Sequence, residues 1–158
     1  MSRILVAGVG NVLRGDDGFG PAVIARLGTL PDGAETIEMG IGGVALLQEL
    51  LAGCDGFVLV DAVDRGAAPG TVFELEPSVG DAVHVADVHL ANPDRVLSMA
   101  KTMGALPARV RIVGCQPAEV DELCGGLSPV VADAVGQAAA VIRRIVDAWL
   151  REPLHARL

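Results

Sequence analysis

Three carboxylates and one imidazole carry the chemistry this sequence can offer. Asp16 and Asp17 stand side by side in Gly8-Val9-Gly10-Asn11-Val12-Leu13-Arg14-Gly15-Asp16-Asp17-Gly18-Phe19-Gly20, Asp61 follows the apolar run Gly56 to Val60, and His89 lies just before Asn92-Pro93. Two carboxylates and an imidazole suffice to hold a borderline divalent metal such as nickel or zinc, with positions left open for water or substrate. By residue type, Asp17, Asp61 and His89 can meet in this way. Each also has a plainer role. Asp16 or Asp17 can cap a helix that contains Pro21, Asp61 can accept a strand-end hydrogen bond, and His89 can be a loop histidine bonded to backbone. Spacing alone does not choose between these.

The surrounding elements decide whether the acids can meet. Ile4 to Val9 reads as a strand, Gly10 to Gly20 as a glycine-bearing loop, and Pro21 to Leu27 as the amphipathic part of a helix. The pattern Gly8-x-Gly10-x-x-Leu13 lacks the third glycine of a dinucleotide loop, and no GK[ST] follows, so a P-loop is excluded. Ala34 to Met39 predicts a second strand, Gly40-Ile41-Gly42-Gly43 a second glycine loop, and Val44 to Leu51 a short helix ended by Gly53. The nearly unbroken apolar run Gly56 to Val60 suits a central parallel strand covered on both faces. Thr71 to Leu75 alternates, and it follows too closely for a parallel crossover, so it must run antiparallel or lie at an edge. Asn92-Pro93 opens a helix reaching about Met103, Arg109 to Val113 forms a fifth strand, and Ser128-Pro129 opens the last helix. That helix carries Val131, Val135, Ala138, Ile142, Ile145 and Trp149 as one apolar stripe. The sum is a three-layer α/β/α domain spanning residues 1–158, with a five-stranded, mostly parallel, mixed and twisted sheet. If right-handed crossovers set the first and third strands side by side, Asp16, Asp17 and Asp61 share one crevice at the carboxyl ends of the strands.

Composition narrows the partners. A formal charge of -8 and a single lysine disfavour nucleic acid and anionic membrane surfaces, both of which call for clustered basic residues. No apolar run approaches a bilayer span and no cationic leader precedes the first strand, which predicts a cytoplasmic protein. Cys54, Cys115 and Cys124 are odd in number and form no C-x-x-C, so they are expected as reduced, buried thiols.

At this point the chain resembles the hydrogenase maturation endopeptidases, which process the large subunit of nickel-iron hydrogenases. The resemblance begins with Ile4 to Gly20. It continues through Asp61-Ala62-Val63-Asp64 and Pro69-Gly70-Thr71, then His89 with Asn92-Pro93 and Val96-Leu97, and ends in Val113-Gly114 and Gly126-Leu127-Ser128-Pro129. It implies metal-binding roles for Asp17, Asp61 and His89, and substrate recognition near Glu38 and the glycine loop Gly40, Gly42 and Gly43. The implied activity is removal of a short C-terminal extension from the hydrogenase large-subunit precursor after nickel insertion, so the nickel arrives with the substrate. Two positions depart from the family pattern. Asp87 replaces a small hydroxyl residue two places before the histidine, on the same side of an extended chain, and Gln116 replaces a glutamate before proline.

A water polarised by the metal, or activated by a carboxylate such as Asp16, would attack the scissile carbonyl. No HExxH supplies the usual metalloprotease base, and no G-x-S-x-G or cysteine in the acid-bearing loops supplies a nucleophile. The alternatives are an escort that reads nickel in the maturing subunit without cutting it, and a small-molecule α/β hydrolase.

Overall fold

The computed structural model describes residues 2–40, 43–77, 93–118, 120 and 125–152, with the side chains of 93–95 left aside. His84, Asp87, His89, Gly42 and Cys124 therefore lie outside the described residues.

Five strands form one sheet: β1 (Ile4–Val9), β2 (Ala34–Gly40), β3 (Gly56–Ala62), β4 (Val72–Leu75) and β5 (Arg109–Cys115), in the order β2-β1-β3-β5-β4. All neighbours are parallel except β4, which runs antiparallel to β5 at the sheet edge, as its short connection requires. The strand order reverses between β1 and β3, which lie side by side with Ile4 opposite Gly56 and Gly8 opposite Val60.

Side-chain alternation on the inner strands builds two apolar layers. Ile4, Val6, Val58 and Val60 face one side, where α1 (Phe19–Leu27) and α4 (Pro129–Arg151) cover them with Phe19, Val23, Val135 and Ile142. Leu5, Ala7, Phe57 and Leu59 face the other, under Leu46 and Leu50 of α2 (Gly43–Leu51) and Val96, Leu97 and Ala100 of α3 (Pro93–Thr102). Strands with both faces covered need to be apolar throughout, which explains the unbroken runs. Each such fully buried Leu or Phe contributes about 1.5–3 kcal/mol. Val131, Val135, Ala138, Ile142 and Ile145 of the α4 stripe are buried, and Trp149 packs half-buried against the same layer.

Two boundaries differ from the sequence reading for physical reasons. Strand β5 extends two residues past Val113, because Gly114 and Cys115 find partners on both sides, in Asp61 and Ala62 of β3 and in Phe73 and Val72 of β4. Helix α1 begins at Phe19, after a 3-10 turn over Gly15–Gly18, so Gly18 occupies the cap position and neither Asp16 nor Asp17 caps this helix. Pro21 then falls in the first turn, where its missing N–H costs nothing.

Glycine makes this entry possible. A Cβ at Gly20 would sit 2.4 Å from the Val9 carbonyl oxygen and 2.5 Å from that of Val60, both main-chain atoms at the ends of β1 and β3. At Gly10, which has φ 142°, a Cβ would lie 1.9 Å from the Asp17 carbonyl oxygen. The loop is thus pressed directly onto the strand ends. Gly20→Ala should destabilise the fold by about 3 kcal/mol through overpacking against backbone that cannot give way, read as a lower urea midpoint at unchanged m-value.

Candidate active site

The carboxyl ends of β1 and β3 meet the 3-10 turn that carries Asp16 and Asp17, and this contact assembles the crevice. Asp61, half-buried, is the penultimate residue of β3 and lies opposite Gly114 of β5. Asp17 is also half-buried. Its Oδ2 accepts from the Asn11 N–H at 2.8 Å, which fixes the side chain, while Oδ1 has no hydrogen-bond partner among the described residues. One anchored oxygen and one open one suit a carboxylate that takes a ligand. No cluster of three metal-binding side chains occurs among the described residues, and the expected third ligand, His89, lies outside them.

Asp16 has a different environment from its neighbour. It is fully buried (0 % exposed), and its oxygens accept the Ala118 N–H at 2.8 Å and the Ser128 N–H at 2.7 Å. The Ser128 hydroxyl lies 2.9 and 2.8 Å from the two oxygens and donates its single proton between them. Both oxygens are therefore engaged inside the protein, an arrangement that anchors three chain segments. A base that activates water in the crevice would need a lone pair directed there. Ser128 stands at the cap position of α4 as read from sequence, but its hydroxyl makes no capping bond because Asp16 takes it. Its carbonyl still accepts from Val131 and Ala132, so the helix starts regularly.

Gln116 organises the other rim. Its Oε1 accepts from the Arg65 N–H at 2.7 Å and the Ala67 N–H at 3.2 Å, and its Nε2 donates to Asp64 Oδ1 at 3.0 Å. That donation, followed by one from the Gly66 N–H, holds the Asp64 carboxyl below the usual carboxylate range. A glutamate at 116 would face Asp64 with like charge, so the neutral amide is matched to the loop it binds.

Between the 3-10 turn, α1 and the end of β2 runs a groove of about 340 Å³, with Gly15, Gly18, Gly126 and Leu127 along it and Glu38 as the one charged residue among its described lining. Val12 borders it, and Leu13 beside it is 63 % exposed. Gly40, at φ 56°, closes β2 with its carbonyl on the Gly10 N–H at 2.8 Å, and Gly43 opens α2. Sequence reasoning missed Ala118, and it named Gln116 and Leu127 only within the resemblance, without a place in this region. Asp16 and Ser128 are 112 positions apart, and nothing local in either segment announces the other.

Neither described cysteine offers a nucleophile here. Cys115 is buried, and burial together with the Asp16 charge pushes its thiol up to about 11. Cys54, near Arg3 at the opposite end of the strands, is only half-buried, and burial likewise raises it to about 11. Both thiols keep their protons at neutral pH.

Fold and site together define an open α/β protein whose acid-bearing 3-10 turn packs on β3 at the strand-order reversal. Comparison with known proteins gives the family: residues 23–145 match the hydrogenase maturation protease (HycI) family, and the chain belongs to it. It is 34% identical over 153 residues to the hydrogenase expression/formation protein HupD of Rhodobacter capsulatus, covering 93% of this chain and 72% of that protein. Among solved structures it is similar to the hydrogenase maturating endopeptidase HybD from E. coli, with TM-score 0.79, 29% identity and coverage of 92% and 93% of the two chains. It is also similar to a hydrogenase 2 maturation peptidase from a Thaumarchaeota archaeon, with TM-score 0.70, 28% identity and coverage of 92% and 99%. The chain is accordingly a peptidase of the hydrogenase maturation family. No helix among the described residues is long and apolar enough to cross a membrane.

Two outcomes follow from these environments. Asp16→Asn puts an amide NH2 against donors and should cost about 2–4 kcal/mol, with Ser128→Ala costing about 1 kcal/mol, measured by urea unfolding. The cysteine contribution has the opposite sign to a carboxylate's. The folded thiols bind protons more tightly than the ordinary value of 9.0, so their contribution is full below pH 9 and is lost as pH rises through about 11. Unfolding midpoints should fall across that window, and a Cys54→Ser, Cys115→Ala double variant should flatten the fall.

Proposed function

We propose that this protein removes the C-terminal extension from the large-subunit precursor of a nickel-iron hydrogenase once nickel has been inserted, acting in the cytoplasm. The observation that supports this reading is the packing of the 3-10 turn that carries Asp16 and Asp17 on β3, the strand whose penultimate residue is Asp61, with one oxygen of Asp17 left without a hydrogen-bond partner among the described residues. Family membership supplies the reaction class, and the local chemistry supplies the means.

Asp17 and Asp61, with His89 as third ligand, would supply a hard and borderline donor set of the kind that suits nickel carried by the precursor. Held there, nickel supplies Lewis-acid polarisation of the scissile carbonyl or of a water beside it. The remaining work belongs to the chain. Asn11 holds Asp17 in place through its N–H, and Asp16 fixes the turn beneath it by tying it to Ala118 and Ser128. In this reading Asp16 positions the site rather than taking the proton from water. The groove from Glu38 past Gly15 and Gly18 accepts the chain on one side of the scissile bond, its glycines letting the substrate backbone approach closely. Gly40, at the end of β2, turns the chain beside it, and Gly40, Gly42 and Gly43 are assigned to the same recognition region.

A processing assay tests this reading. Nickel-loaded and nickel-free precursor are incubated with the protein and the products weighed by mass spectrometry. Loss of a short C-terminal peptide from the nickel-loaded form alone is expected. Asp17→Ala, Asp61→Ala and His89→Ala should each reduce the rate by at least about 10³-fold while far-UV circular dichroism stays unchanged. Full activity in Asp61→Ala would overturn the ligand assignment, and stable binding without peptide release would point to the escort role.

A further inference from the structure

We infer that the outer edge of β2 binds the C-terminal segment of the hydrogenase precursor as an added strand and feeds it into the groove. This rests on the proposed function and assigns the main-chain part of substrate recognition. In a parallel ladder, alternate residues of a strand turn both N–H and C=O to the same neighbour. The Ile4 N–H donates to the Gly33 carbonyl at 2.7 Å, and Ile4 lies opposite Ala34. Residues 35 and 37 therefore bond to β1, and residues 34, 36 and 38 turn outward. The Ala34 N–H is taken by Pro31 at 3.1 Å. The outward groups of Thr36 and Glu38 have no hydrogen-bond partner among the described residues. Strand β2 is the terminal strand of the sheet, so no further strand of the described chain covers this side.

Two features select the occupant. The first is continuity: Glu38, whose main chain stands on the open edge, also lines the groove that passes Gly15 and Gly18, the residues bounding Asp16 and Asp17. An extended chain bonded to Thr36 and Glu38 would thus run straight to the reacting centre, using the strand-addition mode common to peptide recognition. The second is charge. Glu38 is exposed on β2 with no basic partner among the described residues, Glu35 is ion-paired with Arg3 at 2.6 Å, and no basic residue lies within Ala34–Gly40. Pairing this edge with a second copy of itself would set like charges opposite one another, which natural edges use to prevent self-association. A neutral or basic extended segment meets no such penalty.

Thr36→Pro tests the inference. Proline is tolerated where a strand's N–H faces outward, so the β1 ladder survives while the donor for an added strand is removed and its place filled by the ring. With nickel-loaded precursor, KM should rise by about tenfold or more with kcat retained at saturation. Wild-type KM in folded Thr36→Pro would overturn the edge assignment, whereas absence of processing by the wild-type protein would overturn the function itself. If circular dichroism shows that the variant does not fold, pulse-labelled hydrogen exchange on the wild-type protein during processing decides. Slowed exchange of the Thr36 and Glu38 amides supports an added strand, and unchanged exchange refutes it. Protection that grows with protein concentration alone, together with a dimer in light scattering, assigns the edge to a second copy and also overturns the proposal.

Discussion

The buried carboxylate of Asp16 is the constraint on which the crevice depends. A charge removed from water is costly unless hydrogen bonds replace its hydration. Here the replacement comes from two main-chain N–H groups and a hydroxyl on segments far away in sequence. Those bonds can form only when the 3-10 turn, the chain after β5 and the start of α4 have all reached their final places. The cost of burial is thereby turned into geometric specification: one carboxylate requires three segments to close around the sheet end together. Asp17, next in sequence, inherits its position from this arrangement and keeps an oxygen for other work.

Glycine supplies the complementary condition. Helix α1 can begin against the ends of β1 and β3 because Gly20 has no side chain to meet the Val9 and Val60 carbonyls. A larger residue would lift the turn from the sheet and separate Asp17 from β3. Asp16 pulls the loop inward while Gly10 and Gly20 let it come, and the acid-bearing turn packs on the strand ends because both conditions hold there. Gln116 does comparable service across the crevice, binding the chain after β3 through two acceptor contacts and one donor contact. Its neutrality matters, since its amide must donate to Asp64 and accept from the backbone at once.

The division of labour between the two Asp residues also bears on chemistry. Adjacent carboxylates are often taken as an acid–base pair, yet these two have unlike surroundings. One is sealed and fully hydrogen-bonded, and the other is half-buried and partly free. The two described thiols keep their protons and Asp16 is internal, so none of these three offers a side-chain nucleophile in the crevice.

Much of this protein was legible in the linear sequence because the relevant signals are local. Apolar runs with both faces covered marked β1 and β3, the short connection before Val72 required an antiparallel edge strand, and the stripe from Val131 to Trp149 marked α4. The N-terminal glycine and aspartate pattern carried the family. What only the tertiary structure decided was the unlike surroundings of the two aspartates. Helix-capping preference made Asp16 or Asp17 a reasonable cap for α1, but the intervening 3-10 turn removed both from that position, and Ser128, a cap by pattern, gave its hydroxyl to Asp16. The open edge of β2 and the groove beyond it were likewise invisible, since strand order is settled by packing among distant elements. Local periodicity and turn chemistry are written in neighbouring residues. The partners of a buried charge are fixed by how the whole chain closes, and that information is spread over more than a hundred positions.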